Sequence, residues 1–359
     1  MKAWEKNIRR VVPYVPGDQP AGDRLIKLNT NENPYPPAPG VRRALGEMDY
    51  DRLRKYPDPA ASVLTECLAG YYGVDKNQVF VGVGSDDVLA MAFLTFFNSE
   101  KPILFPDISY SFYKVWAELF RIPYEMTALD EAFLICPEDY YRENGGVIFP
   151  NPNAPTGLLL GLEQVEDILK HNQDVIVIVD EAYIDFGGRS ALALLNRYEN
   201  LLVVQTFSKA RSMAGMRIGF AIGASGLIKA MNDVKYSYNS YTMNMPSLVL
   251  GEEAVRDETY FRETVGKIVN TREQAKKRLR LLGFSFPDSM SNFIFAKHEK
   301  VPAVRIFQAL KDQQIYVRHF AGPRVEDYLR ITIGTDEEME VLYDFLEGYL
   351  RGEISGKCF

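Results

Sequence analysis

The sequence predicts an α/β protein: a large domain whose mostly parallel sheet is sandwiched by helices, followed by a smaller α+β C-terminal domain. Three observations carry this. Short β-branched apolar runs alternate with helical periodicity through the first two thirds of the chain. Two runs, Val175–Asp180 and Leu201–Thr206, are almost wholly apolar and read as strands buried on both faces. After Tyr241 the pattern changes to a long charged helical stretch, Tyr260–Leu282, and shorter strands. Of the 359 residues, 1–40 are expected to form an N-terminal arm and loop, 41–245 the large domain and 246–359 the small one.

The arm is rich in Pro, Asn and Gly, with a short strand expected at Leu25–Leu28. Helical spacing at Val41–Glu47 is followed by the turn-rich Arg54–Pro59 and a helix Ala61–Tyr72 stopped by Gly73. Strands are expected at Gln78–Val83, Pro102–Phe105, Val147–Phe149 and Ile218–Ile222, besides the two central runs. Helices are expected at Val88–Phe97, Ser111–Leu119 and near Gly161–Asn172. In the second domain Ser247–Val255, Ala303–Asp312 and Asp336–Leu350 read as helices, and Asn292–Ala296, Ile315–Arg318 and Tyr328–Ile333 as strands.

A net charge of −7 gives no bulk attraction for nucleic acid or an anionic membrane. No apolar run reaches the ~18 residues of a membrane span. The basic first residues lack an apolar stretch after them, so a secretory leader is not expected and the cytoplasm is the default compartment. Cys67, Cys136 and Cys358 lie far apart and match neither a metal spacing nor a disulfide framework. With only three histidines, zinc or serine–histidine chemistry has little material.

The central strands end in groups able to do chemistry. One delivers Asp180 and Tyr183 to a strand's carboxyl end, and the other delivers Ser208 and Lys209. That edge is where ligands sit in open α/β sheets. A lysine there, with an acid and a phenol beside it, is what pyridoxal 5'-phosphate chemistry requires: the amine binds the cofactor covalently and the acid holds a proton on its ring nitrogen. Taken singly, each residue has a plainer reading. Lysines are usually surface charges, Asp180 could be a helix cap, and Tyr183 could be a core tyrosine. Gly84-Ser85-Asp86 lies between a strand and a helix, where backbone N–H groups favour a phosphate. Ser208 and the planar fork of Arg217 would complete that cradle, and Tyr110 offers a ring face for stacking.

Taken together these residues resemble the class I/II aminotransferases of pyridoxal phosphate fold type I, over nearly the whole chain. The motifs fall in the family's order: Asn29-Thr30-Asn31-Glu32-Asn33-Pro34-Tyr35, Tyr56-Pro57-Asp58-Pro59, Gly84-Ser85-Asp86, Asn153-Ala154-Pro155-Thr156-Gly157, Asp180-Glu181-Ala182-Tyr183, Ser208-Lys209 and Arg217. Within the family the chain is most similar to the histidinol-phosphate branch. The resemblance implies that Lys209 carries pyridoxal phosphate and that Asp180 pairs with its ring nitrogen. Tyr183 and an Asn of the 151–154 loop would contact the ring oxygen, and Tyr110 would stack on the ring. Ser85, Asp86, Ser208 and Arg217 would surround the phosphate. Tyr56 is expected to reach it from a partner subunit, implying a homodimer. Arg318 and Arg330 would hold the substrate phosphate, with Tyr14, Asn31 and Asn33 closing over the imidazole end. The family usually has Asn directly before Pro-Thr-Gly. Ala154 stands there in this chain, and Asn153, one position earlier, is expected to supply the contact instead.

The reaction so implied is transamination of L-histidinol phosphate with 2-oxoglutarate, in histidine biosynthesis. Three alternatives use similar parts: a threonine-phosphate decarboxylase, an aromatic amino acid aminotransferase whose arginines hold a carboxylate, and a cofactor-binding regulatory module without turnover. The last lacks a basic DNA-binding extension in its favour.

Overall fold

The computed structural model describes residues 2–15, 17–20, 22 and 25–352. Cys358 lies outside the described residues. The chain opens with β1 (Ile26–Lys27), α1 (Pro39–Gly46), α2 (Ser62–Tyr72), β2 (Val79–Gly82) and α3 (Gly84–Phe96). Then come β3 (Ile103–Pro106), α4 (Phe112–Phe120), β4 (Tyr124–Thr127), β5 (Val147–Pro150), α5 (Leu162–His171), β6 (Val177–Asp180) and β7 (Leu201–Thr206). They are followed by β8 (Gly219–Gly223), α6 (Ser225–Tyr238), α7 (Met245–Arg256) and α8 (Glu258–Leu281). The last stretch holds β9 (Phe284–Ser285), β10 (Phe293–His298), α9 (Ala303–Asp312), β11 (Ile315–Tyr316), β12 (Arg318–His319), β13 (Leu329–Thr332) and α10 (Asp336–Leu350).

The large sheet runs β2-β8-β7-β6-β5-β3-β4. Only β8 opposes its neighbours, and the other pairings within the sheet are parallel. Successive strand residues point to opposite faces. Ile178, Leu202 and Val204 join Phe93, Trp116 and Met231 under α3, α4 and α6. Val177, Val179 and Val203 pack with Val165, Ile168 and Leu169 of α5 on the other side. Burial on both faces explains why these strands are nearly continuous apolar runs.

A four-stranded antiparallel sheet, β12-β13-β10-β9, forms the second unit with α8, α9 and α10. The expected strand Ile315–Arg318 is two: β11 pairs in parallel with β1, while β12 pairs with β13. The arm therefore joins the C-terminal unit through β1. The helix α7 spans residue 246, where the small domain was expected to begin, and it packs on α1 and α2 in a core shared with β2 and β8. No helix among the described residues is long and apolar enough to cross a membrane.

Candidate active site

Register brings the chemistry to one edge. Asp180 closes β6, paired with Pro150 of β5 and Val204 of β7. Thr206 closes β7 opposite Gly219, which starts the reversed β8 two residues after Arg217. Gly219 also faces Gly82, which ends β2 and leads into α3. The carboxyl ends of β2, β5, β6 and β7 and the start of β8 thus converge on one cavity of about 180 Å³. It is lined by Ser85, Asp86, Tyr110, Asp180, Tyr183, Ser208, Lys209 and Arg217, and by Thr30, Glu32, Ala154 and Thr206.

The floor at the start of α3 is shaped for an anion. Gly84 has φ +84°, and a Cβ on it would sit 2.5 Å from Arg217 Nη2. A Cβ on Gly219 would sit 2.3 Å from Ser85 N. Backbone and guanidinium are packed so closely that only glycines fit. Ser85 is the second residue of the helix, Ser208 Oγ accepts from Arg217 Nη1 at 3.4 Å, and the guanidinium is held by Asp86 at 3.1 Å. The Asp86 carboxylate also accepts from Tyr110 at 2.6 Å. A carboxylate is itself no anion ligand, so Asp86 orients Arg217 and Tyr110.

At the other wall Asp180 is buried. Its carboxylate accepts from Tyr113 Oη at 2.8 Å and from the Ala182 backbone at 3.3 Å. Burial pushes its pKa up to about 6, against the pull of the Tyr113 hydrogen bond. A cationic N–H facing it would restore the charge that burial penalises. Lys209 Nζ donates to the Thr30 carbonyl at 3.0 Å and lies 5.8 Å from the Tyr183 ring centroid. Asn33 Nδ2 donates to the Lys209 and Ala210 carbonyls, each at 3.2 Å, so it fixes the backbone under the lysine. Asn31 Nδ2 donates to Tyr183 Oη at 2.9 Å. A phosphate cradle, a buried acid and an amine around one cavity fit a phosphorylated pyridine aldehyde: Ser85, Ser208 and Arg217 would take its phosphate, Asp180 its ring N–H and Lys209 its carbonyl carbon.

One expectation needs correction. Asn153 does not reach this cavity. Its Nδ2 donates to the Ile108 carbonyl and to Thr156 Oγ1, both at 3.0 Å. The Ile108 oxygen forces the nitrogen to face it, which leaves Oδ1 buried and without a partner. That free atom is an acceptor and could not donate to a ring oxygen. Ala154 lines the cavity in its place.

A second cleft of about 660 Å³ adjoins the first, sharing Tyr110 and Ala154. Tyr14, Arg318 and Arg330 line it, with Tyr14 stacked on Phe112 at 4.4 Å. Arg318 and Arg330 are register partners on β12 and β13 and so share one face of the small sheet. Arg330 Nη2 donates to the Asn29 carbonyl at 3.1 Å, while its Nε is buried without a partner. Burial holds its pKa below the usual arginine range, and Arg318 pushes the same way. Tyr56 lies elsewhere: it is 81% exposed and packs on Tyr241. Sequence reasoning missed Tyr113, Thr30 and Thr332. Tyr113 sits one helical turn after Tyr110, and that spacing was its only trace.

A family model described as "Aminotransferase class I and II" matches residues 23–346. A histidinol-phosphate aminotransferase of Lactococcus lactis subsp. cremoris is 50% identical, with 98% of this chain and 99% of that protein covered. A crystal structure of the histidinol-phosphate aminotransferase of Sinorhizobium meliloti, in complex with pyridoxal-5'-phosphate, superposes with a TM-score of 0.83 at 23% identity, covering 92% of each chain. An L-threonine-O-3-phosphate decarboxylase of Porphyromonas gingivalis superposes at 0.78 with 20% identity, covering 91% of this chain and 100% of that one. Those two likenesses speak for the fold alone.

Proposed function

This chain belongs to the class I and II aminotransferases, and on that premise we propose that it transfers the amino group of L-histidinol phosphate to 2-oxoglutarate. Imidazole-acetol phosphate and glutamate are the products, pyridoxal 5'-phosphate is the cofactor, and the protein is a cytoplasmic homodimer serving histidine biosynthesis. The arginine pair carries this reading. Two guanidinium groups directly opposite on adjacent strands repel. An unpartnered buried Nε adds to the cost. A dianionic phosphate relieves both, and one carboxylate relieves them less completely.

Bound pyridoxal phosphate supplies a carbonyl carbon that takes up the substrate amine and a ring that accepts the electrons of the broken C–H bond. Asp180 would face that ring's N–H and keep the proton on the ring nitrogen. Tyr183 would donate to the ring oxygen. Ser85, Ser208 and Arg217 would anchor the phosphate, and Tyr110 would offer its face to the ring. Lys209 Nζ would be the covalent anchor and, as a free amine, the base placed to take up the substrate α-proton and give it back. Arg318 and Arg330 hold the substrate phosphate in the first half-reaction, and the same forks hold a carboxylate of 2-oxoglutarate in the second. Tyr14 covers the outer end of the cleft. Ping-pong kinetics follow. Tyr56, exposed and away from its own chain's cavity, would serve the partner's phosphate cradle.

The test is a half-reaction screen on the pyridoxal phosphate form. Histidinol phosphate is expected to give pyridoxamine phosphate fastest, with phenylalanine slower and no CO2 from threonine phosphate. Release of CO2, or a preference for phenylalanine, would replace the substrate assignment.

A further inference from the structure

We infer that Asn31 is a positioning residue for the hydroxyl proton of Tyr183, and that through it the small domain sets the charge balance at the cofactor's ring oxygen. This rests on the cofactor reading above. Asn31 is buried and has φ +56°, a left-handed conformation that asparagine tolerates. Residues of the small unit hold it there. Its backbone N–H donates to Thr332 Oγ1 at 3.0 Å, and its carbonyl accepts from Asn292 Nδ2 at 3.0 Å. Thr332 Oγ1 in turn donates its own proton to Asn31 Oδ1, 3.1 Å away.

That assignment fixes the Asn31 amide. Its oxygen faces Thr332, so its nitrogen faces Tyr183 Oη, 2.9 Å away. Asn31 therefore fills a lone pair of the phenol oxygen as a donor and cannot receive the phenol's proton. The proton is turned away from Asn31, towards the cavity that Tyr183 lines. This matters more in this chain because Asn153 is committed to Ile108 and Thr156, leaving Tyr183 to make the ring-oxygen contact. A donor there stabilises negative charge on the oxygen and weakens its hold on the neighbouring proton of the lysine–cofactor linkage. Losing that donor raises the pH at which the linkage deprotonates.

The experiment is a spectroscopic titration of the complex with pyridoxal phosphate, reading the midpoint of the near-visible absorbance change. Asn31→Asp keeps shape and the Thr332 bond but replaces the donor with an acceptor, so the Tyr183 proton turns back. The midpoint is expected to rise by roughly one to two pH units, the size of one hydrogen bond to a charged group, and to approach that of Tyr183→Phe. Added charge alone could also raise it. In the Tyr183→Phe background Asn31→Asp is therefore expected to add less than a third of its effect in wild type. Thr332→Val, which frees the Asn31 amide without new charge, is expected to move the midpoint the same way by a smaller amount. These variants leave Glu32, Asp86, Asp180, Lys209 and Arg217 in place. An unshifted midpoint in both Asn31→Asp and Thr332→Val overturns the inference while leaving the cofactor reading intact. A full shift of Asn31→Asp in the Tyr183→Phe background also overturns it. A wild-type protein that gains no visible band with pyridoxal phosphate overturns both.

Discussion

Asp180 shows how one buried carboxyl makes the protein depend on its ligand. Its folded pKa, about 6, lies above the value of 3.8 for an unperturbed aspartate. The fold therefore prefers the protonated form, and stability from this group is present at low pH and lost as pH rises through about 6. In the cofactor-free protein Asp180→Asn is expected to stabilise at pH 7.5 by up to about 3 kcal/mol, since each tenfold change in proton affinity is worth ~1.4 kcal/mol. The gain should narrow below pH 6 and nearly vanish at pH 4. Thermal melts of the two apoproteins across pH measure it. With pyridoxal phosphate the sign reverses, because the asparagine cannot neutralise the ring N–H. A mutant that melts at or below wild type at pH 7.5 without cofactor contradicts this account.

At the scale of elements, the cradle depends on β8 running against its neighbours, which brings the start of β8 to the edge where β2 ends. Gly219→Ala drives a methyl into the first turn of α3, 2.3 Å from Ser85 N. Overpacking of this kind costs about 1–3 kcal/mol, and the displaced N–H groups should weaken pyridoxal phosphate binding at least tenfold. Equilibrium dialysis checks the affinity, and unchanged binding in a folded mutant would remove α3 from the cradle. The elements were legible where pattern and period agree, as in β5, β6, β7 and α9. The helix α6 was not, because Lys235 is buried on its inner face, donating to the Pro59 carbonyl at 3.0 Å. The edge strand β4 was also missed, since two of its four residues are exposed and it lacks an apolar run. In the site, the short motifs around Asp180, Lys209 and Gly84 could be read directly. Tyr113 with Asp180, Asn31 with Tyr183 and Thr30 with Lys209 could not, because the partners stand 67, 152 and 179 residues apart. Asn153 was misjudged because one of its two acceptors, the Ile108 carbonyl, belongs to a different loop.

Across the whole molecule, the proposed second subunit has apolar side chains to cover: Leu45, Tyr50, Leu53 and Tyr56 all stand exposed within residues 45–56, and removing such groups from water favours association. If Tyr56 serves the partner's cradle, two defective subunits can repair each other. Tyr56→Ala and Lys209→Ala proteins, each poor in activity alone, are expected to regain up to about a quarter of wild-type activity when unfolded together and reassociated. Random pairing makes half the dimers mixed, and each mixed dimer carries one intact site. No recovery, or full activity in a monomer, would put Tyr56 outside the chemistry.

The segment Thr30–Asn33 is tethered at both ends. Strand β1 and Thr332 hold it to the C-terminal unit, and Asn33 holds it to the backbone of Lys209. The front of the chain, which carries no group that reacts, is therefore a wall of the reaction chamber. An engineer who trimmed it back past Asn33 as a dispensable tail would open that wall, depriving the lysine amine of its resting acceptor and the phenol of its guide.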